Sequence, residues 1–111
     1  MDIIETDTGG ILVLEPSGGI NSTNAKAFAV RIVDIIQARR CNIVIDFQRV
    51  KYISSAGFRS LLIIGKSIGS VQRKLVLCGM SPEVRRVFEI AMFDGDFVIC
   101  SSRDDAALQA T

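Results

Sequence analysis

The chain has 111 residues, 49% hydrophobic and 23% charged, which suits one soluble globular domain over 1–111 and leaves no room for a second. Thirteen basic against twelve acidic residues leave a net charge of +1, too little for the positive field of a dedicated nucleic-acid binder. Histidine is absent, which removes Ser-His and Cys-His catalysis, histidine-bound zinc and phosphohistidine chemistry.

A chain of this length buries roughly two-thirds of its unfolded surface and needs no metal or disulfide to fold. Cys41, Cys78 and Cys100 are odd in number and form no C-x-x-C pair, so they are expected as reduced thiols in or near the core. The start, Met1-Asp2-Ile3-Ile4-Glu5, lacks the basic and apolar regions of a signal peptide, and no apolar run reaches 18 residues. A cytoplasmic protein without membrane insertion is expected.

In chain order, apolar stretches at 3–6 and 11–15 flank Asp7-Thr8-Gly9-Gly10, a turn composition that predicts an opening β-hairpin. Residues 16–21 read as a loop. Phe28, Ile32, Ile35 and Ile36 then recur at helical spacing, with N-cap candidates at 21–23 and an end near Arg39-Arg40. The β-branched run 42–47 fits a strand buried on both faces, as in a parallel sheet. A polar connection at 48–51 leads to a second helix over 56–70, with Phe58, Leu61, Leu62 and Ile68 on its apolar face.

Residues 74–78 read as a strand, and Ser81-Pro82-Glu83 as the start of a helix through Met92. Phe93-Asp94-Gly95-Asp96 reads as a turn, because the other ligand positions of a calcium loop are missing. A strand over 97–100 and a short helix capped by Ser102 close the chain. Strands alternating with about four helices predict an α/β domain with a largely parallel or mixed sheet.

The most informative segment is Ser54-Ser55-Ala56-Gly57, at the entrance to the second helix. Amides at a helix N-terminus lack intrahelical partners and sit at the positive end of the macrodipole, so a serine there can cap the helix and tolerate a phosphate. Gly65-Lys66-Ser67 echoes a P-loop, but Ser60 stands where that motif needs glycine and the segment lies in mid-helix. No metal or cofactor is expected. The basic pairs sit at element ends, although Arg49, Lys51 and Arg59 surround the serines in sequence.

Residues 46–62, from Asp46-Phe47 through Ser54-Ser55-Ala56-Gly57 to Leu61-Leu62, resemble the signature segment of the STAS domain, the fold of bacterial anti-sigma factor antagonists. Gly18-Gly19-Ile20-Asn21-Ser22-Thr23-Asn24-Ala25 resembles that family's first loop and helix start, and residues 74–84 its strand, loop and third helix. The resemblance implies that the serine two residues before Gly57, Ser55, is the phosphorylation site, with Ser54 the alternative. Ser54 stands where the family typically has aspartate, Ala56 replaces a Ser or Thr, and Asn21 replaces another aspartate.

It further implies a regulatory ligand that is not an enzyme. The unphosphorylated form would bind an anti-sigma factor, a serine kinase of the histidine-kinase-like ATPase fold. Phosphorylation would end binding, and a PP2C-type phosphatase would restore it. The implied partner surface comprises Asn21, Ser22, Thr23, Arg49, Lys51, Ser54, Ser55, Ala56, Gly57 and Arg59. A constitutive STAS subunit of a lipid-transport ATPase complex, with no phosphate cycle, is the alternative.

Overall fold

A hairpin of β1 (Ile3–Thr8) and β2 (Ile11–Pro16) opens the chain, and its last pair, Thr8 with Ile11, leaves only Gly9 and Gly10 in the turn. Their φ values of 58° and 84° are the left-handed pair that a two-residue type I′ turn requires. The computed structural model describes residues 1–90 and 97–111. After the hairpin come β3 (Gly18–Ile20), α1 (Ala25–Arg39), β4 (Ile43–Asp46), β5 (Val50–Ile53) and α2 (Ser55–Ser70). The order then runs β6 (Leu75–Cys78), α3 (Pro82–Ile90), β7 (Val98–Cys100) and α4 (Arg103–Gln109).

Five strands form the main sheet in the order β1-β2-β4-β6-β7, with β1 antiparallel at one edge and every other pairing parallel. Successive strand side chains point to opposite faces. Leu12, Leu14, Ile43, Ile45, Leu75 and Leu77 therefore join Phe28, Ile32 and Ile36 of α1 and Leu61, Ile64 and Ile68 of α2 in the larger core. Ile11, Val13, Val44, Val76 and Cys78 meet Ala106 and Ala110 in a smaller cluster on the other face, which α4 covers. The α/β class with a mixed sheet agrees with the sequence reading.

The structure corrects that reading in three places. Residues 16–21 and 48–51, read as loops, contribute to a second sheet in which β3 and β5 pair in parallel, Gly19 with Tyr52 and Ile20 with Ile53. Two of the three β3 residues are glycines and β5 exposes Lys51 and Tyr52 together, so neither segment carries an alternating apolar pattern. The first helix starts at Ala25, later than the candidate caps at 21–23. In α2, Ile64 is fully buried while Leu62 is only partly so, one position around the helix from the expected stripe. The expected turn at 93–96 and the expected end of the third helix at Met92 lie outside the described residues.

Candidate functional site

The second sheet builds the site. Pairing β3 with β5 puts the entry to α1 beside the entry to α2, and the Ser54 amide donates to the Ile20 carbonyl at 2.8 Å. Asn21 turns the chain into α1: its Oδ1 accepts from the amides of Thr23 (2.9 Å) and Asn24 (3.1 Å). Asn24 returns the contact, its Oδ1 accepting from the Asn21 amide at 2.9 Å while its Nδ2 donates to the Gly19 carbonyl at 2.8 Å. This reciprocal Asx pair orders the loop and leaves Ser22 and Thr23 exposed on its rim.

The two serines occupy different environments. Ser54 is the N-cap of α2 and half-buried, and its Oγ accepts from the Gly57 amide at 3.1 Å. Ser55 is the first helical residue and exposed. The helix thus starts at Ser55, one residue before the expected 56, and its cap is Ser54. Because the amides of Ser55 and Ala56 precede the first intrahelical bond, the Ser55 side chain stands at the positive end of the helix.

Gly57 is buried under this turn. A Cβ there would lie 2.6 Å from the Ile20 carbonyl oxygen and 2.7 Å from Ile53 Cγ1. Its contribution is the close approach of α2 to β3, and it offers no exposed surface. Ala56 is half-buried, and Arg59, one turn further on, is exposed. Arg59 lines two hollows: a mostly apolar trough of about 660 Å³ between α1 and α2, with Ser22, Ala56, Val30 and Ile63, and a second of about 620 Å³ with Ser55, Phe58, Val87 and Ile90.

Asn21, Ser22, Thr23 and residues 54–59 come together. Arg49 turns elsewhere: its Nε lies 3.9 Å from Glu15 Oε2, at the ends of the main-sheet strands. Lys51 is exposed on β5 with no ion-pair partner among the described residues. Sequence reasoning missed Tyr52, whose hydroxyl accepts from Asn21 Nδ2 at 3.0 Å and whose ring packs on Gly19 so closely that a Cβ there would sit 2.2 Å from Cε1. A glycine pair in one strand facing an aromatic in another was the available signal.

It also missed a buried charge cluster. Arg103, which opens α4, places Nε 3.0 Å from Asp46 Oδ2 and Nη2 3.5 Å from Glu15 Oε2, while Asp46 Oδ1 accepts from the Gln48 amide at 2.9 Å. Burial works against the Arg103 charge, but the hydrogen bond and charge of Asp46 outweigh it and raise the guanidinium pKa. Burial, then the charge of Asp46, pushes the neighbouring Cys78 thiol up to about 12. These groups lie on the α4 face of the sheet, and the cluster holds α4 and the turn after β4 in place.

The STAS domain family model matches residues 3–106. A Bordetella bronchiseptica protein named "Putative anti-sigma factor antagonist BtrV" is 39% identical over 98 residues, covering 88% of this chain and 84% of its own. Among solved structures, an anti-sigma factor antagonist from Mycobacterium paratuberculosis superposes with a TM-score of 0.87 at 23% identity, over 98% of this chain and 92% of the other. The Bacillus cell fate determinant SpoIIAA in its phosphorylated form gives 0.71 at 18% identity, over 99% and 100%. With the mixed sheet, the paired entries to α1 and α2 and the Ser-Ser-Ala-Gly turn already in place, the family match across nearly the whole length means that this chain belongs to the STAS domain family.

Proposed function

We propose that the chain is an anti-sigma factor antagonist that acts by partner switching, with Ser55 as its phosphoacceptor. The observation that carries the assignment is the division of labour between the serines: Ser54 Oγ is engaged in capping α2, while Ser55 is exposed one residue later. In the unmodified state the surface around Ser22, Thr23, Ser55, Ala56 and Arg59 binds an anti-sigma factor, which is also the serine kinase, of the histidine-kinase-like ATPase fold. Asn21, Ser54 and Gly57 shape that surface from beneath. Lys51, exposed on β5, forms its margin, whereas Arg49 is directed to Glu15.

In the switching step, Ser55 Oγ attacks the γ-phosphorus of ATP, the bond to ADP breaks, and the hydroxyl proton passes to a base on the kinase. The ester adds about −1.5 to −2 charges at a surface the partner must desolvate, which opposes binding without refolding the domain. A PP2C-type phosphatase hydrolyses the ester and resets the switch. The chain supplies the acceptor and the ligand surface in the cytoplasm and performs no catalysis. A 39% identical relative named as an antagonist supports this reading.

The test begins with affinity capture of the anti-sigma factor from native lysate by the unmodified chain. Calorimetry of that partner with unmodified and stoichiometrically Ser55-phosphorylated chain follows. A loss of about 2–4 kcal/mol on phosphorylation is expected where the phosphate meets a desolvated interface. Equal affinities would reject partner switching and put a constitutive STAS subunit of an ATPase complex in its place.

A further inference from the structure

We propose that Arg59 is the intramolecular counter-ion of a phosphate on Ser55, so that phosphorylation draws its guanidinium out of the α1–α2 trough. The proposal rests on the reading of Ser55 as phosphoacceptor and deepens it by naming what the phosphate does to the surface. Ser55 and Arg59 are four residues apart on α2, both exposed, and both line the hollow closed by Phe58, Val87 and Ile90. Side chains at i and i+4 lie one above the other on a helix, which is the spacing at which oppositely charged pairs form.

Arg59 is also uncommitted. Arg31, Arg39, Arg49, Arg85 and Arg103 each have a carboxylate within 4.0 Å, whereas Arg59 has no hydrogen-bond or ion-pair partner among the described residues. Before modification it lines the trough between the helices with Lys26, beside exposed Val30 and Ile63, and Asp34 lines the same trough. A phosphoserine at 55 offers planar guanidinium chemistry several acceptor oxygens, and the first-turn amides add to the attraction. The trough then loses a cation as a dianion appears in the neighbouring hollow, which Ser55 and Arg59 both line. A partner that reads a positive charge beside an apolar groove meets the opposite sign.

The test uses the full chain with phosphoserine installed at position 55 by ligation and requires no binding partner. Phosphorus NMR gives the second ionisation of the phosphate, and nitrogen-edited spectra follow the Arg59 Nε–H signal through the same titration. Pairing with Arg59 should hold that ionisation about 0.5 pH unit lower in wild type than in Arg59→Gln, with the Nε–H signal moving at the same midpoint. Arg59→Lys should retain part of the shift and Lys26→Gln all of it. An unchanged ionisation in Arg59→Gln, or an equal change in Lys26→Gln, would overturn the pairing. Failure of the Ser55 assignment would show instead in kinase labelling, which this titration does not involve.

Discussion

Position 57 makes a sharp demand at the residue scale, because the atoms facing its missing side chain are the Ile20 carbonyl and the Ile53 side chain at less than 3 Å. A backbone carbonyl in a paired strand cannot step aside as a flexible side chain would. Gly57→Ala should therefore destabilise the domain by about 1–3 kcal/mol in urea unfolding, despite the better helix propensity of alanine. An unchanged midpoint would mean that α2 sits further from β3 than the geometry has it. The serines make a paired prediction. Ser54→Ala removes the cap and should cost about 1 kcal/mol, whereas Ser55→Ala should leave stability within about 0.5 kcal/mol and abolish phosphate incorporation by the cognate kinase. Labelling that survives in Ser55→Ala and disappears in Ser54→Ala would transfer the acceptor role to Ser54.

Elements differed in how legible they were. The hairpin, α1, β4, α2 and β6 each carry a periodic apolar pattern or a turn dipeptide long enough to declare itself. Their partners in space follow from the short connections of α/β units. The strands β3 and β5 carry neither, since their structure comes from pairing with each other across more than thirty residues of chain. Of the site, the serine turn was legible from its place at a helix start, and Ser55 from the family motif. The Asn21–Asn24 contacts are local, and only the capping side of Asn21 was read from them, whereas Tyr52 was not legible because its role depends on that long-range pairing. The ion cluster at α4 was hidden for the same reason: Glu15, Asp46 and Arg103 come from three distant segments. It is also testable. Arg103→Met leaves two buried carboxylates without their main cation and should cost about 1–3 kcal/mol, an amount moderated by the partial exposure of the arginine. A neutral result in thermal unfolding would show that the packing of Ala106 and Ala110 and the Asn42 contact with the Ala110 carbonyl hold α4 without the ion cluster.

At the scale of the whole molecule, the two faces of the sheet have different roles. One carries α1 and α2, on which the proposed switch surface lies, and the other is closed by α4 over Val44, Val76 and Cys78. This division separates the modification from the buried charges: a phosphate at Ser55 leaves the Asp46–Arg103 contact on the other side of the sheet. The second face also sets an alkaline limit on stability. Burial raises the Cys78 thiol from an ordinary 9.0 to about 12 in the native chain, so between those values the unfolded chain releases a proton that the folded chain retains. Below pH 9 both states are protonated and the group adds no pH dependence. As pH rises through the window, stability falls at up to about 1.4 kcal/mol per unit, and above about 12 the slope vanishes. Cys78→Ala removes this contribution while other alkaline titrations remain. The stability difference between wild type and Cys78→Ala should therefore shift by about 2 kcal/mol, to the disadvantage of wild type, between about pH 8 and pH 10.5 in urea unfolding. Parallel pH profiles for the two proteins would mean that water reaches the Cys78 sulfur and that α4 does not seal this face.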